Sequence, residues 1–238
     1  PAGNDVVGFI QTLHTQGEEA AARVLWSSTP FPGVCGRVCP APCMEGCNRR
    51  EYDGSVHIRG LERWISDRHQ VPVWVDNDVN IMALGEWRDG VAHGQQNFIF
   101  VKVGTGIGSG LIVGGRLQRG ARGAAGDIGH IQAGSASVIC RCGNPSCLEA
   151  SAGGAAIARE LRAKGYETAG SRDVVALAQA GNRDAIKAVR EAGRLIGSVL
   201  AATVNLLNPA VISIGGDVAE AGQQLLAGIR EAVYQRST

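Results

Sequence analysis

The sequence has few aromatic residues, almost no net charge and no long apolar run. Aromatic residues make up 5% of the 238 residues, and the formal net charge is +1. A charge this close to zero gives no reason to expect bulk attraction to nucleic acid or to an anionic membrane surface. No apolar run is long enough to span a bilayer and no signal peptide is visible, so we predict a cytoplasmic protein without a membrane partner. The sequence begins at Pro1 and not at Met, and we expect a further stretch upstream.

Cysteine is concentrated in two clusters, which favours metal binding over disulfides in a composition of this kind. The first cluster places Cys35, Cys39, Cys43 and Cys47 four residues apart. Four thiolates at short spacing can hold an iron–sulfur cluster. The same spacing also lines one buried face of a helix, although Pro40 and Pro42 argue against an uninterrupted helix. Spacing alone leaves both interpretations open.

The second cluster lies in a loop-rich segment from Asp127 to Glu149. Three thiols and one imidazole form a complete tetrahedral zinc set, here Cys140, Cys142, Cys147 and His130. Because no coordination position remains open, we predict an architectural zinc. Binding of the metal would fix the carboxylates of Asp127 and Glu149 relative to each other. Two fixed carboxylates suit a polyhydroxyl ligand such as a sugar.

Hydrophobic patterning predicts an α/β protein. We expect strands at 71–75, 99–103 and 111–113 and a buried strand in AVISIGG at 210–216. We expect helices at 5–13, 17–26, 152–164, 172–180, 183–207 and 217–234, and one that starts near Asn77 and Asp78. Asp78 is interpreted first as a helix N-cap, and alternatively as a general base at the end of a strand.

Two glycine-rich segments have an ambiguous meaning on their own. Gly104 to Gly108 form a loop whose backbone can approach a phosphate, although a structural turn explains it equally well. Gly215 and Gly216 follow a strand, where a nucleotide could contact the backbone; close packing of the helix and the strand would also require them.

The first 69 residues resemble the N-terminal iron–sulfur region of the glutamate synthase small subunit and its relatives, including dihydropyrimidine dehydrogenase. The matching stretches are PAGNDVVGFI, FPGVCGRVCPAPC, EGCNRREYDG and IRGLERWISD. The resemblance implies at most one cluster, held by Cys35, Cys39, Cys43 and Cys47. The flavin and NADPH domains that follow in that family are not found in this sequence.

From residue 71 onward the sequence resembles the ROK family of repressors and sugar kinases. The matches are VDNDVNIMALGE, VKVGTGIGSGLIVGGRLQRGARGAAGDIGH, CRCGNPSCLEA and NPAVISIGG. The resemblance implies that Asp78 accepts the proton of the reacting hydroxyl and that the sugar is bound by Asn77, Asp127, His130 and Glu149. It also implies zinc at His130, Cys140, Cys142 and Cys147. ATP phosphates and adenosine would lie at Gly104, Thr105, Gly106, Gly108, Gly215 and Gly216.

The implied fold is α/β, of the actin-like, ribonuclease-H-like class, with an incomplete first lobe after a small, mostly helical, cysteine-containing segment. No DxGGT-like phosphate loop occurs in residues 1–70, which counts against ATP- and Mg²⁺-dependent transfer. Asp127 replaces the Glu usual in kinases, and Ser146 replaces a Gly of the zinc motif. GDIGH, DNDVN and CRCGN look more like the sugar-sensing regulators, whose winged helix is not found in this sequence.

These observations predict a chimera with domains at 1–69 and 71–238. We predict a ROK-type sugar-binding protein with a structural zinc, related to sugar-responsive transcription regulators. The alternative is an ATP-dependent, glucokinase-like sugar kinase, and the second alternative is an iron–sulfur fragment of a glutamate synthase-like oxidoreductase. The predicted partners are a small sugar and further copies of the chain, with no DNA-binding motif.

Overall fold

The computed structural model describes residues 5–28, 57–69, 76–133 and 138–237. The chain divides into two units, Pro1–Asp76 and Asn77–Thr238. The first cysteine cluster (Cys35, Cys39, Cys43 and Cys47) and the strand predicted at 71–75 lie outside the described residues. Of the helices described, none is long and apolar enough to cross a membrane.

The described part of the first unit is helical. Its helices are α1 (Val6–Gln16), α2 (Glu18–Ser28) and α3 (Ile58–Arg68). The Asp5 carboxylate caps α1 by accepting a hydrogen bond of 2.8 Å from the Gly8 N–H, and Gly17, with φ of 85°, ends that helix. A small apolar core joins the three helices through Phe9, Ala21, Ala22, Leu25 and Ile65. The two helices predicted here are therefore confirmed, each slightly longer than expected.

The second unit is built on a four-stranded sheet. Its strands are β1 (Phe98–Val103), β2 (Ile107–Val113), β3 (Arg116–Gln118) and β4 (Val211–Gly215). The order across the sheet is β3-β2-β1-β4, with β4 parallel to β1 and the other pairs antiparallel. Gly114 and Gly115 connect β2 to β3 with φ of 59° and 69°, the left-handed conformation that a two-residue hairpin turn requires. The strands predicted at 99–103 and 111–113 are confirmed, and the second begins earlier than expected, at Ile107.

Helices cover both faces of this sheet. They are α4 (Asp78–Arg88), α5 (Leu148–Ala152), α6 (Gly154–Ala163), α7 (Ser171–Gln179), α8 (Arg183–Leu207) and α9 (Gln223–Arg236), with short 3₁₀ helices at Ile128–His130 and Asp217–Ala221. Side chains of β1 alternate between the two faces, as strand geometry dictates. Phe98 and Phe100 pack with α4, whereas Ile99, Val101 and Val103 belong to the larger core with α8 and α9.

The long helix matches its prediction, whereas its neighbours differ in detail. α8 covers the predicted 183–207 and ends at Asn208, which is left-handed with φ of 43° and precedes Pro209. The helix predicted at 152–164 starts later, because Gly153 is extended and separates α5 from α6. The helix predicted at 217–234 is interrupted by Gly222, whose φ of 70° is incompatible with a helix. β4 is half-buried, not fully buried as predicted.

Candidate functional site

A cleft of about 680 Å³ opens in the second unit between the start of α4 and the turn that joins β1 to β2. Its walls also include the loop at 123–127, the first turn of α5 and the residues just after β4. Predicted site residues that line it are Asn77, Asp78, Gly104, Thr105, Gly106, Gly108, Asp127, Glu149 and Gly216. The structure thus brings most of the predicted sugar and phosphate residues to one cavity.

The start of α4 presents two of these side chains. Asn77 is the N-cap, and its Oδ1 accepts a hydrogen bond of 3.0 Å from the Val79 N–H. Asp78 is the first helical residue, and its Oδ1 accepts from the same N–H at 2.8 Å. The prediction that Asp78 is the N-cap is therefore wrong by one residue. Both side chains lie at the positive end of the α4 dipole, where a carboxylate is stabilised.

Sequence reasoning did not single out Lys102, which projects from β1 into this cleft. Its ammonium Nζ lies 2.5 Å from Asp78 Oδ2. The two residues are 24 positions apart, so no local pattern connects them. The available signal was a single charged residue in the otherwise apolar strand FIFVKV.

The glycine turn is shorter than predicted. Gly104, Thr105 and Gly106 form the turn, and Gly108 already belongs to β2. The Gly104 N–H donates to the Gly106 carbonyl at 2.9 Å, while no described residue accepts a hydrogen bond from the N–H of Thr105 or Gly106. These two N–H groups are the part of the turn that can meet an anion.

Glu149 connects the glycine turn to the cysteine-rich segment. Its Oε2 accepts a hydrogen bond of 3.2 Å from the Ile107 N–H. A Cβ on Gly106 would overlap the same oxygen, so a larger residue there would displace the Glu149 carboxylate. Glu149 follows Cys147 by two residues, and the position of the turn therefore depends on the loop that holds the cysteines.

Gly215, the last residue of β4, and Gly216, which follows it, have different environments. Gly216 lines the cleft and has φ of 91°. Gly215 does not line it; a Cβ there would lie 2.7 Å from the Phe100 ring, so packing explains this glycine. Packing against the neighbouring strand β1, and not the helix–strand packing considered for the pair, therefore accounts for Gly215.

His130, Cys140, Cys142 and Cys147 form a second cluster, which we call the cysteine knuckle. One ligand atom from each residue lies within 4.8 Å of every other. His130 Nδ1 is 3.6 Å from Cys140 Sγ, and the thiols of Cys142 and Cys147 are also 3.6 Å apart. Tetrahedral zinc with ordinary bond lengths places such atoms about 3.5–3.8 Å apart. The donor set and its spacing fit a structural zinc ion.

The pKa values of two thiols of the knuckle shift in opposite directions. A hydrogen bond with the Asn144 backbone lowers the pKa of Cys142 to about 7. Burial, together with the two neighbouring thiols, raises the pKa of Cys147. A bound cation would have to offset this effect, because thiolates are the ligating species.

His130 is the member of the knuckle that lies nearest to a charged residue of the cleft, Asp127. Its Nδ1 faces Cys140, and its Nε2 lies 4.0 Å from Asp127 Oδ2. His130 itself is not among the residues that line the cleft. Asp127 does line it, so the predicted link from the metal cluster to the ligand site passes through the Asp127 carboxylate. A carboxylate beside the second nitrogen of a ligating histidine orients the ring.

Ser146 lies in the knuckle with φ of 58°, a left-handed conformation that is unfavourable for a residue with a Cβ. This backbone geometry explains why glycine is usual at this position of the zinc motif.

We expect Ser146→Gly to raise the free energy of unfolding by about 1 kcal/mol, as measured by chemical denaturation. Gly143→Ala is the matched control, because Gly143 has φ of 89° and no atom within 4 Å of a new Cβ. Gly143→Ala should destabilise the protein, because it adds a Cβ at a left-handed position. A lower stability of Ser146→Gly would show that the serine side chain outweighs its backbone cost.

The sheet topology and its cleft are those of an actin-like, ribonuclease-H-like α/β fold. Residues 55–237 match the ROK family, and residues 1–73 match the iron–sulfur domain described as dihydropyrimidine dehydrogenase domain II, 4Fe-4S cluster. The chain belongs to the ROK family, and the predicted fold class is confirmed. The prediction that a stretch related to an iron–sulfur domain precedes the ROK part is confirmed as well.

Relatives of known name include both enzymes and regulators. The chain is 35% identical over 186 residues to a glucokinase of Halalkalibacterium halodurans, covering 72% of this chain and 56% of that protein. It is 34% identical over 195 residues to a putative xylose repressor of a Caldicellulosiruptor species, covering 74% of this chain and 48% of that protein. A ROK family glucokinase from Streptomyces griseus, solved with glucose and AMPPNP, superposes with a TM-score of 0.64 at 31% identity. The superposition covers 72% of this chain and 60% of that one. The chain spans about half the length of the curated relatives it matches.

Proposed function

We propose that the second unit binds a sugar in the 680 Å³ cleft and that a zinc ion in the cysteine knuckle holds the cleft in shape. The observation that carries this proposal is the convergence of three carboxylates, those of Asp78, Asp127 and Glu149, with the Asn77 amide around one cavity. Carboxylates accept directed hydrogen bonds from hydroxyls, and an amide can both donate and accept. Relatives named for glucose and xylose support this ligand class.

The carboxylates of the cleft are held by different parts of the chain. Asp78 is held by the start of α4, Glu149 by the Ile107 N–H, and Asp127 lies at the N-terminal end of the short 3₁₀ helix. Asp127 and Glu149 flank the knuckle in sequence. Zinc would therefore act on the sugar indirectly, by fixing the segment that carries Asp127 and Glu149.

Sugar binding is tested by isothermal titration calorimetry with D-glucose, D-xylose and N-acetyl-D-glucosamine. For the sugar that binds best, we expect Asp127→Asn to weaken binding by about tenfold or more, because a hydrogen bond to a charged acceptor is lost. Asp89→Asn is the matched control: Asp89 is 84% exposed and does not line the cleft. Equal affinity of Asp127→Asn and the unaltered protein would remove Asp127 from the site, and no binding of any of the sugars would refute the proposal.

Phosphoryl transfer from ATP to the sugar is the second candidate. It is favoured by the N–H groups of Thr105 and Gly106, which have no acceptor among the described residues, and by Gly216, which also lines the cleft and lies against the Val103 backbone. Asp78 would be the proton acceptor, and Mg²⁺ would neutralise phosphate charge when bound. A coupled assay of ADP release, with and without each sugar, distinguishes this candidate from binding alone. Sugar-dependent release that is lost in Asp78→Asn would establish it.

For residues 1–69 we propose an iron–sulfur role, supported by the match of residues 1–73 to an iron–sulfur domain. The cysteines concerned lie outside the described residues. Iron and acid-labile sulfide in the purified protein, lost in Cys39→Ala, would support a cluster, and their absence would refute it. Assembly into oligomers and a cytoplasmic location remain predictions.

A further inference from the structure

Among the described residues that line the cleft, Lys102 is the one with a cationic side chain. The other charged lining residues are all acidic: Asp78, Asp127, Glu149 and Asp217. Neither the zinc ligands nor the glycine turn requires a lysine at this place.

The contact between Lys102 and Asp78 fixes both oxygens of the carboxylate. Oδ1 accepts from the Val79 N–H at 2.8 Å, and Oδ2 accepts from Lys102 Nζ at 2.5 Å. A carboxylate has about four acceptor sites and an ammonium has three donors. Each partner therefore retains capacity for a ligand after the contact between them has formed.

Stability alone does not explain this pair. The Lys102 side chain is 36% exposed and that of Asp78 is 68% exposed. Exposed ion pairs contribute little to folding. No buried charge requires compensation here, so replacing Lys102 should leave the fold intact.

We propose that Lys102 is a specificity-determining residue that, together with Asp78, recognises neighbouring hydroxyls of the bound sugar. The inference rests on the proposed sugar-binding function. The ammonium donates a hydrogen bond to a hydroxyl oxygen, and the carboxylate accepts one from a hydroxyl hydrogen. A sugar that lacks a hydroxyl at this pair leaves one of the two charged groups short of a hydrogen bond, so the pair discriminates against deoxy analogues.

The test is calorimetric titration of the full chain with its best-binding sugar and the monodeoxy analogues of that sugar. We expect the unaltered protein to bind at least one analogue about tenfold or more weakly than the parent sugar. Lys102→Met keeps much of the apolar stem but removes the donors. It should bind the parent sugar about tenfold more weakly, and its discrimination against that analogue should disappear. Lys102→Arg should retain most of the discrimination, because it retains donors.

Two controls separate recognition from a general effect. Lys164→Met removes a lysine outside the cleft, one that pairs with Glu160 at 2.8 Å, and should leave sugar affinity unchanged. The double variant Asp78→Asn/Lys102→Met should bind no more weakly than the weaker single variant, because the two residues act as a unit.

The outcomes are distinguishable. A Lys102→Met protein that keeps both affinity and discrimination overturns the role of Lys102 while leaving sugar binding in place. Additive losses in the double variant also overturn it. An unaltered protein that binds none of the sugars refutes the proposed function, and the inference about Lys102 with it.

Discussion

Removal of zinc is expected to lower the melting temperature of the second unit by about 10 °C. A ligand present at a thousand times its Kd contributes about 4 kcal/mol to the folded state, and for a unit of this size each kcal/mol shifts the melting temperature by about 2–4 °C. The knuckle would supply this stabilisation on binding zinc, because its four ligand atoms already lie within 4.8 Å of one another. Differential scanning calorimetry before and after chelation, with metal analysis of the same samples, measures the effect.

Cys142→Ala is the variant that isolates the metal from packing. Cys142 is exposed, whereas Cys140 and Cys147 are buried and their replacement would also leave cavities. We expect Cys142→Ala to lower the zinc content and to reproduce the melting temperature of the chelated protein. Sugar affinity should fall too, because Glu149 and Asp127 lose their support although neither is altered.

Cys43→Ala is the matched control, since it removes a cysteine outside the knuckle. It should retain about one zinc per chain. If the purified protein held no zinc and Cys142→Ala had the same melting temperature as the unaltered protein, the knuckle would not be a metal site. Unchanged sugar affinity in a zinc-free variant would instead separate the metal from the cleft.

Those parts of the fold that depend on local pattern were predictable. The apolar stripe of α8 and the Asn208-Pro209 stop define its limits, because helix periodicity and backbone geometry are local properties. The same holds for β1, for the Gly114-Gly115 turn and for the spacing of the knuckle ligands. The helix, the strand and the turn follow from residues within a few positions of each other, and the knuckle ligands all lie in the one segment 130–147.

The contacts that shape the cleft were not predictable, because they join distant parts of the chain. Lys102 reaches Asp78 across 24 residues, and Glu149 reaches Ile107 across 42. Gly215 is required by the Phe100 ring on a neighbouring strand, which no property of the NPAVISIGG stretch reveals. A sequence pattern therefore identified the residue types of the site, while the pairing among them depends on tertiary packing.

Gly110→Ala is expected to destabilise the framework of the cleft, because α4 lies directly on β2 at this position. A Cβ on Gly110 would lie 2.5 Å from the Ala83 Cβ and 2.8 Å from the Val79 carbonyl oxygen. Neither neighbour is the end of a flexible side chain, so α4 must move away from the sheet. Overpacking of this kind costs about 1–3 kcal/mol. Since the start of α4 carries Asn77 and Asp78, sugar affinity should fall with stability.

Gly85→Ala provides the matched control on the same helix. Gly85 is exposed, lies inside α4, and has no atom within 4 Å of a new Cβ. Alanine there should raise the free energy of unfolding by about 0.5–1 kcal/mol, because it restricts the unfolded chain and favours the helix. Urea denaturation and sugar titration of both variants measure the two effects. If Gly110→Ala were as stable as the unaltered protein and bound sugar equally well, the close contact between α4 and β2 would not position the cleft, and the placement of Asp78 beside Lys102 would need another cause.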